Sequence, residues 1–359
     1  MKKILLITPF PPPMGGISNW SKLIYEYIND NEKEIEVRYI NTAPKKRATE
    51  GRTIFNRIFN GFLSILKTTK KLKKELKTFK PDVVHINTSG SLALFRDNAV
   101  LKILKRNNIK NILHLRFGRV PELLKQDKLE SKLLRKAFKL TDNILSIDSK
   151  TYNSLLDDYS TKSSIIPNPF ISTNMPEPTI LNKDNLSYTI TYLGWVVKTK
   201  GIEELISAWS ILYKKYPNWK LQIVGPYDKN YFEYLFDNFS LEGIDFVGEK
   251  SHDEAMNIVN KSSIFTLPSH TEGFPNVIVE AMYLGKAIVA TDVGAIPEML
   301  ENNCGIVVKS KSIDELVDAF EKIINDNDLL CQLGHNAKEK SSVYSVENVM
   351  EQYKKIWFE

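Results

Sequence analysis

Short runs of β-branched and apolar residues alternate with longer amphipathic segments along almost the whole chain. Successive positions in these runs are apolar, as expected for parallel strands that are covered by helices on both faces. The runs lie at residues 4–8, 35–40, 83–87, 111–115 and 144–148, and then at 189–194, 220–224, 244–247, 264–267 and 287–291. The pattern predicts an α/β protein built from doubly wound parallel sheets.

Residues 167–187 interrupt this alternation, because they contain four prolines and show no clear period. Such a composition is typical of a linker. We therefore expect two α/β domains of similar size, residues 1–170 and residues 186–344, that face a central cleft in which a ligand binds. The final segment, residues 345–359, is amphipathic and is predicted to pack back onto the N-terminal domain.

The composition is that of an ordinary soluble protein, with 42% hydrophobic and 26% charged residues. The apolar run near the N-terminus is only ILLI, which is too short for a secretory signal, and we read it as a first strand. No segment approaches the roughly 18 apolar residues that span a bilayer. Cys304 and Cys331 show neither metal-site nor disulfide-framework spacing. We expect a cytoplasmic protein.

The net charge of +6 has a local excess at residues 67–80, which hold seven lysines and one glutamate. Over residues 54–80, apolar residues recur at alternating spacings of three and four, which predicts a helix whose apolar stripe faces a core at least from residue 62 onward. These apolar residues are Phe55, Ile58, Phe62, Ile65, Leu72, Leu76 and Phe79. The lysine face is either simply solvated or attracted to an anionic membrane surface. Nucleic acid is not favoured as a partner, because no aromatic residues are interleaved with the lysines.

Gly15 and Gly16 follow the first predicted strand and precede a helix that Ser18 or Asn19 could cap. A Gly-Gly turn at a helix N-terminus exposes backbone N–H groups that suit a phosphate, although it is also compatible with a merely flexible turn. The spacing is not that of a dinucleotide-binding fingerprint, and this weighs against a nicotinamide cofactor.

The stretch SHTEGFPNVIVEAMYLGK, residues 269–286, carries two carboxylates eight residues apart, Glu272 and Glu280. Pro275 fits the first turn of a helix that ends at Gly285. Glu280 has apolar neighbours around most of that helix, so either an internal Arg or Lys or a bound ligand must satisfy it. The two glutamates point at different parts of a ligand, which excludes the acid and base pair of a glycosidase.

Two histidines, His85 and His114, fall near the ends of adjacent predicted strands, on the expected cleft side. Either could act on a proton near neutral pH, or serve as a satisfied structural residue. No histidine shows metal-ligand spacing, and we read Asp326 and Asp328 as a solvated turn. After the linker, Lys198 and Lys200 precede Gly201 and a helix, where a cation can neutralise phosphate oxygens.

Taken together, these residues resemble glycosyltransferase family 4, whose members retain anomeric configuration and have the GT-B fold of two Rossmann-like domains. The resemblance covers nearly the whole chain. Its most specific part is LPSHTEGFPNVIVEAMYLGKAIVATDVGAIPEM, which matches the E-x7-E signature of the family. The Gly-Gly loop, His114, SIIPNPF, LGWVVKTKGIEELISAW and LQIVG occur in the expected order.

The resemblance implies a donor site for a nucleotide sugar in the C-terminal domain. Glu280 would bind the ribose hydroxyls, Glu272 would lie beside the donor sugar, and Lys200 would neutralise the diphosphate. His114 would lie near the reacting centre, so the implied catalytic residues are His114, Glu272 and Lys200. The implied donor-binding residues are Gly15, Gly16, Lys198, Lys200, Glu272, Gly273, Phe274, Asn276, Val277 and Glu280. Neither a metal nor another cofactor is expected.

The chain departs from the family at Trp195, where an arginine is usual, and Lys198 could replace part of the lost charge. The residue after the histidine is usually small or acidic in the family, whereas here it is Leu115, followed by Arg116, and we suspect that Arg116 recognises the acceptor.

The resemblance implies transfer from a nucleotide sugar, with uridine the commonest base, to a glycan or undecaprenyl-linked acceptor held by the N-terminal domain. The enzyme would work in bacterial surface-glycan synthesis, in the cytoplasm and peripherally at the inner face of the plasma membrane. A sugar-nucleotide epimerase of the same fold and a non-catalytic sugar-binding protein are the alternatives.

Overall fold

A computed structural model describes residues 1–13, 15–43, 54–173, 175–182 and 184–359, with side chains in the helix that starts at residue 54 described at residue 61 and from residue 63 onward. The chain forms two compact units. The first consists of Met1–Asn168 together with Met350–Glu359, and the second of Pro169–Val349.

The first unit contains a six-stranded parallel sheet in the order β2-β1-β3-β4-β5-β6. The strands are β1 (Lys2–Thr8), β2 (Ile35–Asn41), β3 (Val83–Thr88), β4 (Lys110–Leu115), β5 (Asn143–Ser146) and β6 (Ser163–Ile165). The helices that follow them are α1 (Gly16–Asn31), α2 (Ile54–Thr78), α3 (Ala93–Arg106), α4 (Val120–Leu124), α5 (Leu129–Leu140), α6 (Ser149–Asn153) and α7 (Leu156–Tyr159). All six residues of β3 are buried, because helices cover both faces of the sheet centre.

The second unit repeats this architecture, with strand order β12-β11-β10-β7-β8-β9. Its strands are β7 (Thr189–Leu193), β8 (Lys220–Val224), β9 (Ile244–Gly248), β10 (Ile264–Leu267), β11 (Ala287–Thr291) and β12 (Ile306–Val308). Its helices are α8 (Ile202–Lys215), α9 (Lys229–Asn238), α10 (His252–Lys261), α11 (Asn276–Tyr283), α12 (Ile296–Leu300), α13 (Ile313–Ile324) and α14 (Asn327–Ser341). The order reverses between β7 and β10, and such a switch point opens a crevice at the carboxyl ends of the strands.

The predicted doubly wound parallel sheets are confirmed, and all ten predicted strands are present. Strands β6 and β12 were missed, because each has three residues at the edge of its sheet and is too short to show a period.

The last helix, α15 (Val346–Phe358), contacts the first unit through its aromatic side chains. The Trp20 indole N–H donates to the Tyr353 hydroxyl at 3.1 Å, and the Trp357 indole N–H donates to His85 Nδ1 at 3.0 Å. Lys354 also pairs with Glu32 of α1 at 3.0 Å. The residues from Met350 onward consequently belong to the first unit.

Helix α2 carries the predicted apolar stripe at its described end. Leu72 and Phe79 are buried and Leu76 is half-buried. The predicted contributions of Phe55, Ile58 and Phe62 lie outside the described side chains. Seven lysines are exposed along this segment, at Lys67, Lys70, Lys71, Lys73, Lys74, Lys77 and Lys80. None of the described helices has both the length and the apolar composition needed to cross a bilayer.

Candidate functional site

Lys200 and Glu272 form an ion pair at the carboxyl ends of β7 and β10, with 2.6 Å between Lys200 Nζ and Glu272 Oε1. Lys200 ends the short turn Lys198–Lys200 before α8, and Glu272 lies in the loop after β10. Ser269 donates to the same carboxylate oxygen at 2.7 Å. The Lys200 side chain is 28% exposed and that of Glu272 is 12% exposed. Because an ammonium group has three donors, Lys200 can hold a phosphate oxygen while it stays paired with Glu272.

Two glycines allow the backbone segments around this ion pair to approach each other closely. Gly201 has a φ of +71°, and a Cβ there would lie 1.9 Å from the Pro268 carbonyl oxygen. Gly294 has a φ of +58°, and a Cβ there would lie 2.4 Å from the Gly273 oxygen. The Gly273 oxygen also accepts a hydrogen bond from the Ala295 N–H at 2.9 Å. The Glu272 loop is therefore held by backbone packing on both sides.

Helix α11 begins directly after this loop, at Asn276, with Pro275 as its N-cap residue and no side-chain cap. The first N–H groups of a helix have no acceptor within the helix, so that of Val277 can serve an anion. Phe274 is half-buried against Tyr344, with 5.7 Å between the ring centroids. The structure thus brings Glu272, Gly273 and Phe274 to the uncapped end of α11.

Glu280, four residues into this helix, has an internal partner that the sequence did not reveal. His252 Nε2 lies 3.0 Å from Glu280 Oε1. The expectation that either a buried Arg or Lys or the ligand alone would satisfy this carboxylate is therefore corrected. The hydrogen bond with Glu280 raises the pKa of His252 against the opposing effect of burial. The His252 side chain is 56% exposed and that of Glu280 is 15% exposed.

Lys198 does not join Lys200 in the structure. Its side chain is 69% exposed and pairs with Glu203 at 3.2 Å. The hydrogen bond with Glu203 also raises the pKa of Lys198. Trp195 is 59% exposed, and its carbonyl accepts a hydrogen bond from the buried Tyr192 hydroxyl at 2.8 Å. That Lys198 could replace part of the charge missing at position 195 stays a prediction.

Three side chains of this region escaped the sequence analysis: Ser269, His252 and His270. His270 Nε2 contacts Glu204 Oε1 at 3.0 Å. The backbone N–H of His270 donates to the backbone oxygen of Thr199 at 2.9 Å. Ser269 and His270 lie inside the SHTEGF stretch, so the sequence already showed that they are close to Glu272. His252 lies 28 residues before its partner and carried no local signal.

The Gly-Gly turn of the first unit forms the N-terminus of α1, which starts at Gly16 with Gly15 as N-cap residue and no side-chain cap. The expected capping by Ser18 or Asn19 is wrong, because Ser18 Oγ donates to the Pro13 and Gly15 carbonyl oxygens instead. The first helical hydrogen bond runs from the Asn19 N–H to the Gly15 oxygen. A Cβ at Gly16 would meet no atom within 4 Å, so the turn is open.

His114, predicted to lie near the reacting centre, is completely buried. Its Nδ1 lies 3.2 Å from His85 Nε2, and its Nε2 lies 3.3 Å from Arg116 Nη1. Burial, followed by the charge of Arg116, lowers the pKa of both histidines, that of His85 to about 3. His114 is consequently neutral and enclosed by protein groups, which does not fit a direct contact with a sugar.

Across the described part of the chain, no three His, Cys, Asp or Glu side chains cluster as metal ligands. Asp326 accepts a hydrogen bond from the Leu329 N–H at 2.9 Å and so caps α14.

Two family models match the chain, one to each half. The model of "Glycosyltransferase Family 4" matches residues 22–171, and that of "Glycosyl transferases group 1" matches residues 176–340. An uncharacterized glycosyltransferase of Haemophilus influenzae is 30% identical over 299 residues, which cover 80% of this chain and 79% of that protein. The capsular polysaccharide biosynthesis glycosyltransferase CapM of Staphylococcus aureus is 32% identical over 44% of this chain and 42% of its own length.

Solved structures agree with the fold over the whole chain. A sucrose-phosphate synthase from Thermosynechococcus elongatus has a TM-score of 0.76 at 17% identity and covers 99% of this chain and 98% of its own. Anabaena Alr3699/HepE in complex with UDP has a TM-score of 0.72 at 18% identity, with 99% of each chain covered. The chain therefore belongs to glycosyltransferase family 4, the glycosyl transferases of group 1, and is a nucleotide-sugar-dependent glycosyltransferase of the GT-B fold.

Proposed function

We propose that this protein is a retaining hexosyltransferase that moves a sugar from a UDP-linked donor to a lipid-linked or growing polysaccharide acceptor in bacterial surface-glycan biosynthesis. The observation that carries the proposal is the Lys200–Glu272 pair beside the uncapped N-terminus of α11. The Anabaena protein was crystallised with UDP, which supports the choice of uridine. The Staphylococcus aureus relative is named for capsular polysaccharide biosynthesis, which supports a glycan acceptor.

In the proposed donor complex, each group of the second unit binds one part of the nucleotide sugar. Glu280 accepts hydrogen bonds from the ribose hydroxyls through the carboxylate oxygen that His252 does not contact. The amides of Asn276 and Val277 and the ammonium group of Lys200 bind the diphosphate. Glu272 and the amide of Gly273 bind hydroxyl groups of the sugar.

The proposed transfer takes place on one face of the sugar. The bond between C1 of the sugar and the diphosphate oxygen breaks, and the bond between C1 and the acceptor oxygen forms on the same side, so the configuration is retained. The acceptor hydroxyl gives its proton to the departing phosphate oxygen, which balances charge. Lys200 and the α11 amides stabilise the charge that develops on the diphosphate, and no metal ion takes part in this proposal.

Calorimetric titration with UDP, GDP, ADP and CMP in the presence of EDTA tests the donor site. We expect micromolar binding of UDP and an affinity lower by about tenfold or more, roughly 1.4 kcal/mol, in Glu280→Gln. Glu301→Gln, at an exposed glutamate of the same unit, is the matched control. If no nucleotide binds, the proposed donor site is refuted. Analysis of the products then separates a transferase from an epimerase.

The pairing of His252 with Glu280 makes a prediction about pH. Because the pKa of His252 is raised in the folded state, the pair stabilises the fold fully below the unfolded pKa of about 6.5 and loses this effect as the pH rises through the folded pKa. We expect the unfolding free energies of wild type and His252→Gln to differ most near pH 5.5 and to converge above pH 8. Urea unfolding across this range measures the difference, with His335→Gln as the control. A difference that grew with pH would contradict the pairing.

We also propose that the exposed lysine face of residues 67–80 binds the anionic inner leaflet. Each lysine near such a surface contributes about 1 kcal/mol, so the loss of four should weaken vesicle binding by about a hundredfold or more. The variant replaces Lys70, Lys71, Lys74 and Lys77 with glutamine. Its control replaces four exposed lysines of the second unit, Lys214, Lys250, Lys261 and Lys311. Cosedimentation with phosphatidylglycerol vesicles measures both, and equal binding by the two variants would contradict the proposal.

A further inference from the structure

A row of side-chain contacts in the first unit runs from Trp357 of α15 through His85 and His114 to Arg116. The Trp357 indole N–H donates to His85 Nδ1, because an indole nitrogen can only donate. His85 is neutral, since burial lowers its pKa to about 3, and its single proton is therefore on Nε2.

His114 lies between His85 and Arg116. Its Nδ1 lies 3.2 Å from His85 Nε2, which carries a proton, and its Nε2 lies 3.3 Å from Arg116 Nη1, which can only donate. His114 is also neutral, because burial lowers its pKa, so only one of its two ring nitrogens can accept. Two donors therefore meet at one of the two contacts of His114.

The other neighbours of Arg116 do not neutralise its charge. Its guanidinium carbon lies 4.9 Å from the ring centroid of Trp20, and it donates to the Tyr353 hydroxyl, which also accepts from the Trp20 indole. Burial lowers the pKa of Arg116 to about 10, so it stays charged at neutral pH. No carboxylate among the residues described for this unit forms an ion pair with it. A half-buried guanidinium without an anion is unusual, because buried charges are normally paired.

The geometry points to Arg116 as a binding residue for an oxyanion of the substrate, a phosphate group held by the guanidinium. A guanidinium binds two phosphate oxygens in a planar fork. His114, whose Nε2 lies 3.3 Å from Arg116 Nη1, would then be a positioning residue for Arg116. This inference rests on the proposed function and extends it, because it assigns a substrate group to the first unit. The phosphate belongs either to the nucleotide donor or to a lipid diphosphate acceptor.

The first experiment uses the unmodified full chain labelled with nitrogen-15 in histidine and arginine. The His114 ring signal is assigned by comparison with His114→Asn, and the protein is titrated with pyrophosphate, UDP and farnesyl diphosphate at constant ionic strength. We expect the His114 ring-nitrogen signals and the Arg116 Nε–H signal to move with pyrophosphate. A response to UDP assigns the site to the donor, and a response to farnesyl diphosphate but not farnesol assigns it to the acceptor. No movement with any of the three, or equal movement with potassium chloride, would overturn the inference.

The second experiment compares Arg116→Gln with Arg119→Gln, a nearby arginine that is 56% exposed and pairs with Glu130. We expect the dissociation constant of the responding diphosphate to rise by about tenfold or more in Arg116→Gln and to stay unchanged in Arg119→Gln. UDP binding that depends on Glu280 but not on Arg116 would uphold the proposed donor site and assign the phosphate to the acceptor. If neither diphosphate binds more weakly to a folded Arg116→Gln, the inference fails while the donor site stands. If this variant does not fold, the spectra of the wild-type chain decide.

Discussion

Replacing Lys200 with glutamine is expected to lower kcat/KM for sugar transfer by about a hundredfold to a thousandfold, roughly 2.7–4 kcal/mol. The substitution removes the cation proposed to stabilise the departing diphosphate. It also leaves the 12% exposed Glu272 without its partner at 2.6 Å, so the remaining carboxylate repels the donor. Initial rates with the donor identified by nucleotide titration measure the effect.

Lys215→Gln is the matched control for this prediction, because Lys215 forms a lysine–glutamate pair with Glu321 in the same unit and is 56% exposed. An exposed pair contributes little, so we expect rates close to those of the wild type. If Lys200→Gln retained kcat/KM within about threefold, Lys200 would have no role in stabilising the diphosphate.

Replacing Gly201 with alanine is expected to destabilise the second unit by about 3 kcal/mol or more, because left-handed backbone strain is combined with a steric clash. The added Cβ would lie 1.9 Å from the Pro268 carbonyl oxygen, and neither backbone segment can move without displacing Lys200 or the loop after β10. For a unit of this size, the midpoint of its thermal transition should fall by about 6 °C or more. Differential scanning calorimetry measures the shift.

Gly248→Ala separates the contribution of backbone strain from that of the steric clash. Gly248 has a φ of +77°, close to that of Gly201, but a Cβ there would meet no atom within 4 Å. We expect it to lose about 1 kcal/mol from strain alone. Equal losses in the two variants would show that the contact with Pro268 does not matter.

Local sequence predicted those parts of the site that lie close together along the chain. Glu272, Gly273, Phe274 and the start of α11 occupy one short stretch, so their grouping at a helix N-terminus required only the recognition of a loop followed by a helix. The Gly-Gly turn after β1 was found in the same way. The capping interaction was predicted wrongly, because Ser18 Oγ contacts carbonyl oxygens before the helix and not an amide within it.

Partners that are distant along the chain could not be predicted. Lys200 and Glu272 are 72 residues apart, and only the parallel pairing of β7 with β10 brings their loops together. The contact between His252 and Glu280 depends in the same way on the packing of α10 beside α11. His114 looked available for chemistry at the end of a strand, yet Trp20 of α1 and Tyr353 of α15 contact its ring.

The sequence by itself determined the α/β class, the ten longer strands and the E-x7-E segment, because hydrophobic periodicity and local motifs are properties of neighbouring residues. Only the tertiary structure decided which charges are paired, which histidine is enclosed and which glycines must remain glycines. Those properties depend on distances between segments that the folded sheets bring together. The charged Arg116, contacted by side chains from three elements, is one such property, and no pattern near residue 116 could have shown it.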